Sequence, residues 1–175
     1  MKKVFLTLVV ALISFAAGAQ VYVGGEVGFW RNSDANHTNF NIAPEVGYQL
    51  SQKWDLGIGI GYDHNYAQGT KVNSIQVDPY ARWSYAEFGP VSLFLDMGFG
   101  VCSYKVKDAD DSQTGWRIGV APGVKVALAK NISFVAHMGF LGYRDADDSY
   151  CSYGEDGFGF QFSGNDLKFG LIYNF

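Results

Sequence analysis

The feature that most constrains this chain is an alternation of period two. From Val21 onward, apolar residues recur at every second position within segments of about ten residues. The positions between them hold glycine or ionisable side chains. Successive side chains of a strand point to opposite faces, so the pattern describes strands that separate two environments. Clusters of Gly, Asn, Asp and Ser break the pattern at intervals, as turns and loops do. Eight strands are predicted: Val21–Trp30, Phe40–Leu50, Trp54–Asp63, Ser74–Tyr85, Val91–Cys102, Trp116–Leu128, Ile132–Tyr143 and about Phe160–Phe175. Most have the roughly 9–11 residues that a tilted strand needs to cross a bilayer.

Written out by parity, one face carries no charge at all; in the third strand it reads Trp54, Leu56, Ile58, Ile60, Tyr62. The other face holds Glu26, Glu45, Asp55, Asp63, Asp78, Arg82, Asp96, Arg117, Lys125, His137, Asp166 and Lys168, interspersed with glycines. Alternation alone does not say which face points outward, because a soluble barrel with an apolar interior also alternates. Three further features select a membrane barrel. Aromatics sit at strand ends on the apolar face (Trp54, Trp83, Tyr85, Trp116, Tyr173, Phe175), where interfacial girdles belong. Glycine plus charge suits the interior of a narrow eight-stranded barrel, which side chains fill. Short links (51–53, 86–90, 129–131) alternate strictly with long polar ones (31–39, 64–73, 103–115, 144–159), as when all turns lie on one side of a membrane and all loops on the other. The fold expected is all-β: an eight-stranded antiparallel up-and-down transmembrane barrel. In lipid the backbone must be paired internally, so such a sheet has to close.

The residues before Val21 read differently. Lys2 and Lys3 precede an uncharged run, Val4–Ala19, that ends Ala17-Gly18-Ala19. A basic start, a short apolar stretch and small residues at the end describe a secretory signal peptide. Residues 1–19 are therefore expected to be removed, leaving 20–175 as the barrel. No Cys follows the cleavage site, which argues against a lipoprotein.

The formal net charge is −4 and no basic block occurs, which argues against a nucleic-acid partner. Pro44, Pro79 and Pro122 fall inside strands on the apolar face, although a closed barrel has no edge to accommodate a missing donor. A local bulge or a water-paired carbonyl is expected at each. The two cysteines, Cys102 and Cys151, both belong on the extracellular side. A disulfide between them is geometrically possible; parity points Cys102 inward and the loop's path is open, so free thiols remain the alternative.

The chain also repeats as hairpins. Ala43-Pro44-Glu45-Val46-Gly47-Tyr48, Asp78-Pro79-Tyr80-Ala81-Arg82-Trp83 and Ala121-Pro122-Gly123-Val124-Lys125-Val126 each precede a short turn and a Gly-rich strand such as Leu56-Gly57-Ile58-Gly59-Ile60-Gly61-Tyr62. With the terminal Leu171-Ile172-Tyr173-Asn174-Phe175, these runs resemble the outer-membrane β-barrel domain family, which includes small barrels typified by outer membrane proteins A and X. The resemblance covers Gln20 to Phe175. It implies integral residence in the outer membrane of a Gram-negative cell, among lipid and lipopolysaccharide. It also implies that Phe175, Tyr173, Leu171 and Phe169, with Leu167 before them, form the terminal signal read by the barrel-assembly machinery.

Catalytic patterns are weak. His137 has Ser133 as its nearest inward hydroxyl, about 13 Å along the strand, too far for a nucleophile and its base. Some barrels of this size modify lipid A. One group uses a His-x-Ser pair, and here the run is His137-Met138-Gly139; another uses a loop His with an Asp-Ser pair, for which His37, Asp111-Ser112 and Asp148-Ser149 are of the right types. Asp108-Ala109-Asp110-Asp111-Ser112 and Asp145-Ala146-Asp147-Asp148-Ser149 repeat one motif, but neither has a full calcium-loop pattern, and solvated loops are expected instead. Glu26, Glu45, Asp78, Arg82, Asp96, Arg117, Lys125, His137 and Lys168 are expected to form an interior charge network that plugs the barrel, with a narrow ion path as the alternative. No catalytic residues, metal or cofactor are expected. The function expected is a structural or surface-interaction role through four extracellular loops, with an extracellular partner of unknown identity and a monomeric state. The alternatives are a lipid A-modifying enzyme and a narrow channel.

Overall fold

A computed structural model describes residues 21–32, 36–67, 69–106, 111–145, 153, 156–162 and 167–175. The expected signal peptide lies outside the described residues. Ten strand segments follow one another: β1 (Val21–Asn32), β2 (His37–Gln49), β3 (Trp54–Ala67), β4 (Thr70–Phe88), β5 (Val91–Val106), β6 (Gln113–Ala127), β7 (Ile132–Met138), β8 (Phe140–Asp145), β9 (Gly157–Gln161) and β10 (Leu167–Asn174). They make eight crossings. β7 and β8 both pair with β6 and are the two halves of the seventh; β9 pairs with β8 and β10 with β7, as halves of the eighth. All pairings are antiparallel. β10 returns to β1, with Tyr22 opposite Asn174 and Glu26 opposite Gly170. The Phe175 amide donates to the Val21 carbonyl at 3.1 Å, so the sheet is closed to its last residue.

The short turns gather at one end. Ser51 Oγ accepts from the Trp54 amide at 3.1 Å and holds the β2–β3 turn. Gly89, at φ 61°, and Pro90 make the β4–β5 turn, where a side chain would be strained. At the other end, three of the four links expected to be long, 31–39, 64–73 and 103–115, are more than half strand. β3 runs on to Ala67 and β4 begins at Thr70, so residues 64–73 form a hairpin whose turn includes Gly69 at φ 97°. β2 likewise begins at His37. Their polar composition hid these extensions: above the membrane both faces of a strand meet water, and the alternation that reveals a strand disappears.

The three prolines behave differently from one another. At Pro44 the β2–β3 pairing lapses between Ile42↔Tyr62 and Glu45↔Gly59 without a change of register. The same happens at Pro79 between Val77↔Val101 and Tyr80↔Gly98. Only at Pro122 is there a one-residue shift: β6 leaves β7 at Gly123↔His137 and joins β8 at Val120↔Leu141. Gly139, at φ 79°, is the extra residue. Each proline thus faces its missing amide toward the following strand.

Sidedness is unambiguous. Arg82 is 1% exposed while its neighbour Trp83 is 37% exposed. Leu56, Ile58, Ile60, Ile75, Ile118, Phe169 and Leu171 all lie on the outside. Trp54 stacks on Trp83 at 6.1 Å, and Tyr173 meets Phe175 at 5.1 Å, near the short turns. Trp116 packs against Phe99 at 6.1 Å and Tyr143 at 5.3 Å toward the other end. The eleven residues from Trp116 to Val126, tilted by roughly 40°, rise about 25 Å, the height of an outer-membrane apolar band.

Candidate functional site

The interior is arranged in three layers. Nearest the short turns, Tyr22, Phe94, Val135 and Ile172 form an apolar cluster, each 0–3% exposed. Parity places all four inward, and the emphasis on glycine and charge overlooked them. The inward face is therefore not polar throughout.

The middle layer is ionic. Asp55, Arg82 and Asp96 are direct cross-strand neighbours on β3, β4 and β5. Arg82 grips Asp96 with Nε to Oδ1 at 2.8 Å and Nη2 to Oδ2 at 2.9 Å. Its Nη2 also lies 3.7 Å from Glu45 Oε2. The guanidinium sits 4.3 Å from the Phe94 ring centroid and 5.0 Å from that of Tyr80. The Tyr80 hydroxyl donates to Glu45 and meets the Tyr22 hydroxyl at 2.9 Å. His137 closes the layer, with Nδ1 2.8 Å from Glu26 Oε1 and Nε2 2.9 Å from Asp96 Oδ2. Carboxylates only accept, so the arrangement is satisfied when both ring nitrogens carry a proton. Lys125 reaches Asp55 at 4.0 Å. Buried charge is tolerated only when paired and hydrogen-bonded, and each charge of this layer, drawn from the seven strands β1 to β7, has an opposite partner, although Arg82 Nη1 is buried without a hydrogen bond.

The third layer is a cup. Asp78 Oδ1 accepts from Arg117 Nε at 3.1 Å and Nη2 at 2.8 Å, and from the Tyr153 hydroxyl at 3.0 Å. Tyr153, from the fourth loop, is 4% exposed and lies under the Arg117 guanidinium at 4.3 Å. Burial, then the Asp78 carboxylate, push its phenol well above the ordinary tyrosine value, which keeps it a donor. Tyr153 packs with Val72, Cys102 and Tyr104 in a second buried cluster at the mouth. Cys102 is disulfide-bonded; Cys151, the only other cysteine of the sequence, lies outside the described residues. Between this cap and the ionic layer is a cavity of about 510 Å³ whose lining includes Lys168, Phe140 and Arg144. Lys168 stands beside His137 in register and shares its inward face.

The residues of the expected network fall into two groups. Glu26, Glu45, Arg82, Asp96 and His137 form one connected cluster, while Asp78 and Arg117 form another with Tyr153. Lys125 joins Asp55, and Lys168 lines the cavity without joining either. Tyr22, Tyr80, Phe140, Arg144 and Tyr153 were not anticipated; the first two could have been found as aromatics of inward parity. Phe169, Leu171, Tyr173 and Phe175 face outward along the closing strand. His37 bonds Asn65 at 3.0 Å on β2–β3, whereas Asp111-Ser112 precedes β6, on the opposite side of an eight-crossing barrel. Asp108, Asp110, Asp147, Asp148 and Ser149 lie outside the described residues. Asp145 accepts from Trp116 Nε1 at 3.1 Å.

A closed antiparallel barrel of eight crossings, apolar outside and ionic within, is the architecture of small integral outer-membrane proteins. A family model for the outer membrane protein beta-barrel domain matches residues 4–175. The chain belongs to that family and resides in the outer membrane. Its fold is similar to the N-terminal β-barrel domain of Pseudomonas aeruginosa OprF, at 14% identity and a TM-score of 0.54, with 90% of this chain and 98% of that one covered. It is also similar to Neisserial surface protein A, at 18% identity and a TM-score of 0.53, covering 91% and 98%. No curated protein matches the chain.

Proposed function

We propose that this barrel is a structural and surface-interaction protein: a rigid, plugged cylinder that presents its extracellular loops and does neither chemistry nor conduction. The observation that carries this reading is the floor of the lumen. Arg82 and Asp96 meet in a two-point grip directly above a cluster in which Phe94 is 0% exposed. An ion would have to break a buried pair and then pass an apolar stopper. Against catalysis, both His137 nitrogens are occupied by carboxylates, and Ser133 is 5% exposed and about 13 Å away along the same strand. Recognition then falls to the loops, where rigid scaffolds carry it.

Two accompanying expectations stand with this reading. The outward row ending in Phe175 would serve the barrel-assembly machinery, and the chain would act as a monomer among lipid and lipopolysaccharide. Planar bilayers test the central point. Purified protein should give no stepwise conductance, and lipid A from cells with and without it should have the same mass. Steady unitary currents, or a shifted lipid A mass, would replace this reading with the channel or the enzyme.

A further inference from the structure

The outer wall carries three cations that the interior does not use. Arg31, Lys71 and Lys105 are exposed and point away from the lumen: Lys71 precedes buried Val72, Lys105 follows buried Tyr104, and Arg31 shares the outward parity of Phe29. Their depth follows from the strands they end. Arg31 stands two residues beyond Phe29, Lys71 four beyond Ile75 and Lys105 four beyond Val101, the last outward apolar residues of β1, β4 and β5. At about 3.3 Å per residue and a tilt of roughly 40°, they lie about 5–10 Å past the apolar band, at the level of lipid head groups. We propose that this patch docks the phosphorylated sugar head of an outer-leaflet lipid.

The positive charge here has no carboxylate to answer it. Arg31 donates from Nη1 to Thr38 Oγ1 at 2.5 Å and from Nη2 to Asn36 Oδ1 at 3.4 Å, both neutral acceptors. Lys71 lies 5.9 Å from the centroid of the Tyr66 ring, and among the described residues none of the three cations has an ion pair. Arg82, Arg117 and Lys125, inside the barrel, each face a carboxylate. Asp111, two residues before β6, makes no ion pair with Lys105, and Asp145 is held by Trp116 on β8, two strands beyond β5.

The neutral groups of the patch suit a sugar. Arg31, Thr38, Tyr66 and Lys71 are successive cross-strand neighbours on β1 to β4. Asn36 links them by donating from Nδ2 to the Tyr66 hydroxyl at 3.4 Å. Asn73 lies opposite Lys105 in register and diagonally beside it is Lys71, about 7–8 Å away. Hydroxyls of a sugar find amide and phenol partners here, and its phosphate finds guanidinium and ammonium donors. Basic side chains facing outward at this depth meet the leaflet itself, so the phosphate is a lipid's. The site is on the strand wall and is independent of the loop-presenting role proposed above.

Native mass spectrometry of the intact barrel, released from neutral-detergent micelles, tests this with diphosphoryl lipid A as the probe. The barrel should retain that lipid. Retention should fall roughly tenfold or more for the same lipid with its phosphates removed, and for dioleoylphosphatidylglycerol, which has a phosphate but no sugar. Lys71→Gln combined with Lys105→Gln should weaken binding by a similar factor, whereas Lys53→Gln combined with Lys130→Gln, at the turn end, should leave it unchanged. Equal retention of either comparison lipid, unchanged affinity in the outer pair of substitutions, or an equal loss in the turn-end pair would overturn the proposal. The lipid comparisons use the unaltered protein, so they hold even if a variant fails to fold.

Discussion

Arg82 and Asp96 face each other across β4 and β5 with two near-parallel hydrogen bonds, 2.8 and 2.9 Å long, at the centre of the barrel. Without Arg82, Asp96 keeps only His137; without Asp96, Arg82 keeps only Glu45, at 3.7 Å. Removing one partner of a buried pair typically costs about 3–5 kcal/mol, whereas replacing both with apolar groups of similar volume can be nearly neutral. We expect Arg82→Met to destabilise the barrel by about 3–5 kcal/mol, and Arg82→Met with Asp96→Leu to lose less than the sum of the two single changes. Urea unfolding in micelles measures this. Additive losses would mean that the pair is not coupled.

His137 joins Glu26 on β1 to Asp96 on β5, so it ties together walls that share no backbone pairing. Glutamine can donate from one end of its amide only. His137→Gln should therefore keep one of the two bonds and lose about 1–3 kcal/mol, and His137→Leu should lose more, because Glu26 then loses its donor and Asp96 keeps only Arg82. The same unfolding experiment ranks them. Equal stability of all three proteins would show that the bridge contributes nothing.

The inward glycines differ in what they make room for. A Cβ on Gly47 would enter the Tyr22 ring, whereas the nearest atom to a Cβ on Gly59 is the Asp78 carbonyl oxygen, at 3.9 Å. Gly47→Ala should cost about 1–3 kcal/mol through overpacking, while Gly59→Ala should be neutral. Heat-induced mobility shifts on gels suffice to compare them. A reversed order would contradict the packing described for the turn-side layer.

Cys102 is buried at the mouth in the cluster that also holds Tyr153, and it is disulfide-bonded. We expect peptide mapping under non-reducing conditions to recover a Cys102–Cys151 link, and reduction to raise proteolysis of the fourth loop. Recovery of two alkylated thiols from the untreated protein would refute the link.

Much of this architecture was legible from parity alone. Arg82 beside Trp83, and Lys168 beside Phe169, assign both faces as soon as one knows that charge must avoid lipid. What parity could not supply was depth. Tyr22, Phe94 and Ile172 share the inward parity of Arg82, and only the closure of the barrel shows that they stack into an apolar stopper. The hairpin at 64–73 was missed because strands that project into water lose the contrast between faces. Tyr153 was invisible for another reason: a loop residue that folds back into the lumen leaves no periodic trace, and its partner Asp78 is 75 positions away. The division of the charge network into two clusters likewise depends on side-chain reach across the lumen, which a linear pattern does not encode.

The most direct test of sidedness is a scan of β4 with single spin labels in lipid bilayers. Labels at Ile75, Val77, Ala81 and Trp83 should collide readily with oxygen dissolved in the lipid, and those at Ser74, Gln76 and Ser84 should be shielded from it. Alternation with the opposite phase, or none at all, would contradict a barrel that turns its apolar face to hydrocarbon and gathers its charges within.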